Sequence, residues 1–443
     1  MENTATSAMG DLSVNDAPTA TAQDVNPWSV SGEIVDGKVK AIDYNRLIET
    51  FGTKPIDKAL LERFERVTGH KLHPFLRRQL VFSHRDLDWI LTRHEKREPF
   101  FLYTGRGPSS DSMHLGHMVP FTFTKWLQDV FDVPLVIMMT DDEKMIFGKK
   151  MFSLEEMKGF VRGNATDILA VGFDVKKTFL FSDFDFMGGS FYQNVVRISR
   201  TITQNTSKAV FGFTDRWDIM NSEGELLFAD TPLVTALSAT AFSTTFPHIF
   251  GTDAKKVAKI PSLIPCAIDQ DPYFRVCRDV APKLGYVKPS LLHSKFFPAL
   301  QGPGSKMSAS IDSSAIFMND TMKQIEKKIN KYAFSGGQET MEEQRRLGGN
   351  PDVDVAFQYL SFFSEDDDEL EEIRQDYIAG RLLTGQLKKK CIVKLQEFIK
   401  AYQERRATIT DAVLDEFMRV RPLEWNQGRA PSEGEKKPTP ESS

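Results

Sequence analysis

The sequence predicts an α/β chain in which a Rossmann-like parallel sheet is followed by a purely helical region. Three observations carry that expectation. Between Pro99 and His293 short apolar runs alternate with helical stretches, the βαβ rhythm of a parallel sheet with helices on both faces. Beyond Lys306 the strand signals fade, and apolar residues fall on helical stripes: Met322, Ile325, Ile329; Val353, Phe357, Leu360; Ile392, Leu395, Ile399, Tyr402. At 443 residues the chain is also too long for one comfortable core, so two or three domains with flexible tails are expected.

Taken in order, residues 1–26 are rich in Thr, Ala, Ser and Asp, and are expected to be disordered. Residues 27–98 form an N-terminal extension. Within it Asp36-Gly37 lies between β-branched residues, the signal for a tight hairpin, which fits a surface hairpin without function equally well. From Asp43 to Arg93 the spacing of Leu60, Leu61, Phe64 and Val67 predicts a helical lead-in with no catalytic cluster. The main α/β unit spans 99–319. Its strands are expected at Phe100–Tyr103, Pro134–Met139, Thr178–Phe181, Ile260–Ile264 and Ser290–His293, with a helix over His114–Phe131. Ser153 with Glu156 three residues on is a capping box that opens another helix. The helical region occupies 320–409, a last helix covers Asp411–Met418 within 410–426, and the Gly, Pro, Lys and Glu of 427–443 predict a disordered end.

Composition excludes several classes. The hydrophobic fraction of 41% and charged fraction of 26% are ordinary for a globular chain, and no uninterrupted apolar run approaches the roughly 18 residues of a membrane span. Cys266, Cys277 and Cys391 are too dispersed for a metal knuckle or a disulfide framework and are read as reduced thiols. The first 25 residues lack the features of a signal or transit peptide, so the cytosol is the default compartment. A net charge of −5 argues against a uniformly basic nucleic-acid binder, yet leaves room for a local basic face.

The sharpest local feature is Tyr103-Thr104-Gly105-Arg106-Gly107-Pro108-Ser109-Ser110, running from a strand towards His114-Leu115-Gly116-His117 at a helix start. A glycine-rich strand-to-helix turn lets backbone approach a nucleotide, and the helix N-terminus favours phosphate. His114 and His117 share one helical face and can donate to the same phosphate. Two histidines so spaced also suit zinc, but the Cys or carboxylate partners of a closed site are missing, so no metal is expected. The second feature is Gln301-Gly302-Pro303-Gly304-Ser305-Lys306-Met307-Ser308-Ala309-Ser310, whose glycines promise a mobile loop. A lysine on such a loop can close over a nucleotide and offset the charge of departing pyrophosphate, while serines donate to phosphate oxygens. Alone it is an ordinary solvated lysine; its pairing with the histidine turn changes the odds.

HxGH after the first strand and KMSxS after the last are the two signatures of class I aminoacyl-tRNA synthetases. With Thr140-Asp141-Asp142-Glu143-Lys144 and Ala267-Ile268-Asp269-Gln270-Asp271-Pro272-Tyr273-Phe274, the chain resembles eukaryotic cytoplasmic tryptophanyl-tRNA synthetases, fungal more than animal, from Asn26 to Trp425. The resemblance implies a catalytic α/β domain, an anticodon-binding helical domain, and a last helix packing back on the catalytic domain. It implies activation of L-tryptophan with ATP, which carries Mg²⁺, transfer to tRNA(Trp), a cytoplasmic homodimer, and a hairpin that closes over ATP. ATP would be held by Thr104, Gly105, Arg106, His114, Gly116, His117, Lys306, Met307, Ser308 and Ser310, with Lys144 adding charge. Among these, His114, His117, Lys144 and Lys306 would serve the chemistry. Tyr103, Glu143, Ile264, Gln270 and Phe274 would form the amino-acid slot, with Tyr103 accepting the indole N–H and Glu143 pairing with the ammonium. For Tyr103, Phe274 and Glu143 the residues alone suit plain core packing or helix entry equally. Ala333-Phe334-Ser335-Gly336-Gly337 and Gly348-Gly349-Asn350-Pro351-Asp352 resemble strings of the anticodon-binding region. Lys388-Lys389-Lys390 would add phosphate contacts, against the commoner reading of a solvated face.

The resemblance breaks between Thr201 and Phe246. Thr203-Gln204-Asn205-Thr206 replaces the usual Thr-x-Asn-Gln, the stretch after Phe211-Gly212-Phe213-Thr214 is about nine residues longer, and a pocket glutamine is missing near Leu237. Met138 stands where relatives often carry a polar side chain. A paralogue with altered amino-acid or inhibitor selectivity, and a non-catalytic regulatory relative, are therefore the alternatives. The intact signatures argue against the second, and against aminoacyl transfer from tRNA without ATP.

Overall fold

The computed structural model describes residues 23–26, 30–35, 38–110, 112–147, 151–211, 236–307 and 311–425. The near-continuous apolar runs become strands covered on both faces, as a parallel sheet requires. The strands are β1 (Lys54–Pro55), β2 (Val81–Arg85), β3 (Phe101–Arg106), β4 (Leu135–Met139), β5 (Thr178–Ser182), β6 (Ser262–Ala267) and β7 (Ser290–Ser294), ordered β1-β2-β7-β6-β3-β4-β5. The last five in that order run parallel, with β2 antiparallel on β7 and β1 antiparallel on β2. All five expected strands are present. β3 continues three residues past Tyr103, because its ladder goes on pairing Gly105 with Met138 and Arg106 with Met139 after its apolar pattern has ended.

Two expectations need correction. The stretch from Asp43 to Arg93 contains helices, including Tyr44–Phe51, Lys58–Thr68 and Leu87–Glu95, but also β1 and β2. β2 carries Ser83 and His84, which look polar in sequence yet are buried and bonded: Ser83 Oγ lies 3.0 Å from His293 Nδ1, and His84 Nδ1 accepts from the Leu87 N–H at 3.1 Å. Residues 23–26, assigned by composition to a disordered tail, include Asp24–Val25 paired antiparallel with Val30–Ser31. The Gln23 amide accepts from the Asp43 N–H at 2.8 Å and donates to the Asp43 carbonyl at 3.1 Å, a side-chain bond that composition cannot reveal. Residues 1–22 and 426–443 lie outside the described residues. Ile34–Val35 pairs with Lys38–Val39 as the hairpin signal predicts, although Asp36 and Gly37 themselves are outside the described residues.

Alternation along the strands divides the apolar side chains between two clusters. Phe101, Tyr103, Val136, Met138, Phe179 and Phe181 face a cluster with Phe191, Ile198 and Phe246. Leu102, Ile137 and Leu180 face the other, which takes in Leu115, Met118 and Leu127 of helix Leu115–Phe131 and runs on into Ile325, Ile329, Leu360, Leu395, Ile399 and Tyr402. One core therefore joins the sheet to the helices Met322–Tyr332, Val355–Phe363 and Thr384–Arg406. Asp411–Met418 packs beside β5 and helix Leu154–Leu169, where Arg162 binds Asp411 at 2.7 Å and Asp415 at 3.0 Å. The Ser153–Glu156 capping box is present, with bonds of 3.2 and 2.7 Å. Lys388 is not on a solvated face: its ammonium donates to the Ala333 carbonyl at 2.9 Å and Asn330 at 3.3 Å, capping helix Met322–Tyr332. Lys389 and Lys390 are exposed.

Candidate active site

The carboxyl ends of the parallel strands share one edge of the sheet, and the turns leaving them wall a cavity of 530 Å³. β3 brings Tyr103, Thr104, Gly105 and Arg106 to it in succession. The chain then turns through Gly107, where a Cβ would lie 2.1 Å from Lys144 Cε, so glycine lets the lysine stem cross the turn. His114 is the N-cap of helix Leu115–Phe131. The His114 and His117 rings stack with centroids 3.5 Å apart at 21°, and both reach the cavity. Gly116 is confined between them and the second signature, since a Cβ there would meet His114 Nδ1 at 3.2 Å and Met307 Sδ at 3.4 Å.

The chain that follows the second signature holds the first in place. Leu115 N–H donates to the Ile316 carbonyl at 3.0 Å, and Met318 N–H to the Met113 carbonyl at 2.9 Å. The histidine turn and the chain just beyond the second signature, far apart in sequence, are thus backbone neighbours. Met307 is buried and lines the cavity. Lys306 ends the strand Gly302–Lys306, which pairs with Pro298–Ala299, where the sequence suggested a mobile loop. Its side chain, with Ser308 and Ser310, lies outside the described residues.

Charge gathers on the β3 and β4 side. Helix Asp141–Phe147 presents Glu143 and Lys144, whose side chains pair at 2.8 Å, while the Thr140 hydroxyl donates to the other Glu143 oxygen at 2.7 Å. Burial pushes the Arg106 pKa down to about 10; its Nε reaches Asn164 Oδ1 at 3.4 Å, and its Nη2 has no partner among the described residues. A buried guanidinium with an unused N–H suits an oxyanion.

The other end is aromatic. Tyr103 meets Phe274 edge-on, centroids 6.0 Å apart, and Ile264 and Gln270 line the wall between β6 and helix Asp271–Val280. The Tyr103 hydroxyl donates to Met138 Sδ at 3.4 Å, and the Thr240 hydroxyl lies 3.2 Å from the same sulfur and 3.0 Å from the Ala236 carbonyl. Burial raises the Tyr103 pKa, so it stays a phenol. Leu237 is at the cavity surface, while residues 212–235 lie outside the described residues. Asp271, next to Gln270 in the chain, is gripped by Arg85 at 2.7 Å and approached by His293 at 3.1 Å. Burial alone would raise the Asp271 pKa; the hydrogen bonds from Arg85 and the nearness of His293 outweigh it and hold the carboxyl below its usual range.

Sequence reasoning missed several features. Asp141, Asp142 and Asp183 bring carboxylate oxygens within 4.8 Å of one another. Burial first, then the neighbouring carboxylates, push the Asp183 pKa well up, and burial also raises Asp141 and Asp142. Lys295 and Phe296 line the cavity directly after β7, where no motif marks them.

The family model for class I tRNA synthetases (W and Y) matches residues 95–400. A cytoplasmic tryptophan–tRNA ligase of Saccharomyces cerevisiae is 59% identical over 406 residues, 91% of each chain. One of Homo sapiens is 54% identical over 413 residues, 93% of this chain and 84% of that one. A solved tryptophanyl-tRNA synthetase from Giardia lamblia superposes with a TM-score of 0.78 at 40% identity, covering 84% of this chain and 95% of its own. With both signatures joined at one cavity and likeness along nearly the whole chain, this protein belongs to the class I tRNA synthetases of the tryptophan and tyrosine group.

Proposed function

We propose that the chain is a cytoplasmic tryptophan–tRNA ligase that uses ATP, as its Mg²⁺ complex, to form tryptophanyl-adenylate and then esterifies tRNA(Trp). The observation that carries this reading is the single cavity, in which the histidine turn, the Glu143–Lys144 pair and Met307 of the second signature meet an aromatic slot. The tryptophan carboxylate attacks the α-phosphorus of ATP, a new O–P bond forms, and the bond to the bridging oxygen breaks as pyrophosphate leaves. No protein nucleophile is needed; positioning and charge stabilisation suffice. His114, His117, Arg106, Lys144 and Lys306 balance phosphate charge, and Ser308 and Ser310 donate to it. Thr104, Gly105, Gly116 and Met307 shape the nucleotide wall. Tyr103 accepts the indole N–H, Phe274 and Ile264 flank the ring, Gln270 holds backbone polar atoms, and Glu143 exchanges Lys144 for the substrate ammonium. In domain terms, 27–98, with 23–26 attached, is an extension that covers the site, 99–319 is catalytic, 320–409 meets the anticodon, and 410–426 braces the catalytic unit.

We also infer a homodimer that one tRNA bridges. Exposed Met145, Ile146, Phe184, Tyr192 and Val196 on neighbouring helices support it. A second reading, altered selectivity, draws support from Met138 as the sulfur acceptor at the indole end.

Amino-acid-dependent pyrophosphate exchange across all twenty amino acids tests the assignment. Tryptophan should support it, and His117→Ala and Lys306→Ala should each slow it about tenfold or more. Full activity in both variants, or no exchange with any amino acid, would overturn the assignment.

A further inference from the structure

Lys295 is a cation in the wall of the cavity whose charge no acid among the described residues answers. It follows β7 directly and lines the cavity with its chain neighbours Phe296 and Phe297. Desolvation pulls its pKa below the ordinary lysine value, with no carboxylate acting against that pull. Its ammonium lies 5.2 Å from the centroid of the Tyr44 ring, and among the described residues no acidic group pairs with it. Lysine is strongly hydrated, so a partly buried ammonium facing one aromatic ring has lost water without gaining a counter-charge. Such an arrangement is stable in a ligand site, where the missing charge comes with the ligand.

Tyr44 is held firmly in place. Its hydroxyl accepts from the Phe296 N–H at 3.0 Å, and its ring meets Phe82 edge-on with centroids 5.0 Å apart. It opens helix Tyr44–Phe51, whose N-cap Asp43 accepts from the N–H groups of Asn45 and Arg46. The face of the ring therefore limits where the Lys295 ammonium can go, and the N-terminal extension reaches the cavity through this contact.

We propose that Lys295 binds an oxyanion of the substrates in this cavity and that Tyr44 is its positioning residue. The proposal rests on the ligase reading above. Two oxyanions are available there, the ATP phosphates and the tryptophan carboxylate. The phosphates are assigned to Lys295, because Phe297, two residues on, belongs with Met307 of the second signature to one apolar cluster, whereas Tyr103 and Phe274 of the amino-acid slot belong to the other.

Calorimetric titration of the full chain with ATP, adenosine and tryptophan separates the possibilities. Lys295→Met should weaken ATP binding about tenfold or more while leaving adenosine and tryptophan unchanged. Lys295→Arg should keep most of the ATP affinity. Tyr44→Phe, which keeps the ring, should raise the KM for ATP less than Tyr44→Leu, with kcat nearly unmoved in both; a purely structural tyrosine would move kcat and stability together. Unchanged tryptophan binding reports that each variant is folded. ATP binding by Lys295→Met equal to that of the unaltered chain would overturn the proposal, and a loss confined to tryptophan would overturn the phosphate assignment in favour of the carboxylate. Failure of the unaltered chain to bind ATP would remove the ligase reading and this inference with it.

Discussion

Tyr103 donates its hydroxyl hydrogen to the Met138 thioether at 3.4 Å, and the Thr240 hydroxyl lies 3.2 Å from the same sulfur and 3.0 Å from the Ala236 carbonyl. Sulfur is a weak acceptor and offers no hydrogen, so Met138 can orient the Tyr103 oxygen towards an indole N–H but cannot itself select for that group. Met138→Gln places an amide behind the ring, able to accept the N–H as well. A site that pairs a polar group rejects an analogue lacking it by several powers of ten, whereas an apolar pocket manages roughly ten- to a few-hundredfold. The preference for tryptophan over an analogue with sulfur in place of the ring nitrogen should therefore rise at least about tenfold in this variant, read as the ratio of kcat/KM in pyrophosphate exchange. An unchanged ratio would mean that Met138 lies too far from the ring to matter. At this scale the sequence was informative where a motif set the frame: Tyr103, Glu143, Ile264, Gln270 and Phe274 all reach the cavity. It was silent on Arg106's unused N–H and on Lys295, because burial of a cation depends on what packs over it from elsewhere in the chain.

Strands covered on both faces leave a strong one-dimensional trace, and β4 and β5, buried at every position, were legible almost to the residue. β2 was not, since Ser83 and His84 satisfy their polar atoms with His293 and Leu87, which are distant or invisible in an apolar pattern. The glycine strings of the helical region had a plain reading only by resemblance, yet each has a geometric cause. Gly348 terminates helix Met341–Leu347 at φ +72°, and a Cβ there would stand 1.7 Å from the Ile378 carbonyl oxygen. Gly385, near the start of helix Thr384–Arg406, has nothing within 4 Å of the same construction. Gly348→Ala should then cost about 3 kcal/mol or more, from left-handed strain plus a backbone clash. Gly385→Ala should be neutral or stabilise by up to about 1 kcal/mol. Urea unfolding of the two variants checks the contrast, and similar midpoints would show that the 348 turn relaxes freely.

At the scale of the whole molecule, one of the apolar clusters crosses from the sheet into the helical region, since Leu102 and Ile137 of the sheet share it with Ile329, Leu395 and Tyr402 of the helices. Asp167 reinforces the junction: one carboxylate oxygen accepts from the Met113 N–H at 3.3 Å beside the histidine turn, and the other pairs with Arg406 at 2.5 Å. With the interior so continuous, apolar surface left outside is conspicuous. Tyr192 and Val196, 58% and 43% exposed, lie four residues apart on helix Gly189–Ser199. Phe184 is 45% exposed on the preceding helix, Asp183–Phe186, which packs against Asp141–Phe147 with its exposed Met145 and Ile146. Scattered exposed apolar residues are ordinary, but a set gathered on neighbouring helices is what an interaction surface would offer. A second copy of the chain is the expected occupant, because a surface used by a two-fold dimer meets itself and needs no other partner chemistry. Light scattering at micromolar concentration should give the mass of a dimer, and Tyr192→Glu with Val196→Glu should give a monomer, since each glutamate would be buried in the interface without a counter-charge. Helix Asp141–Phe147 also carries Glu143 and Lys144, so losing the partner should lower adenylate formation as well as mass. A dimer that survives both substitutions would place the interface on another face, and a monomeric unaltered chain with full exchange activity would remove the homodimer altogether.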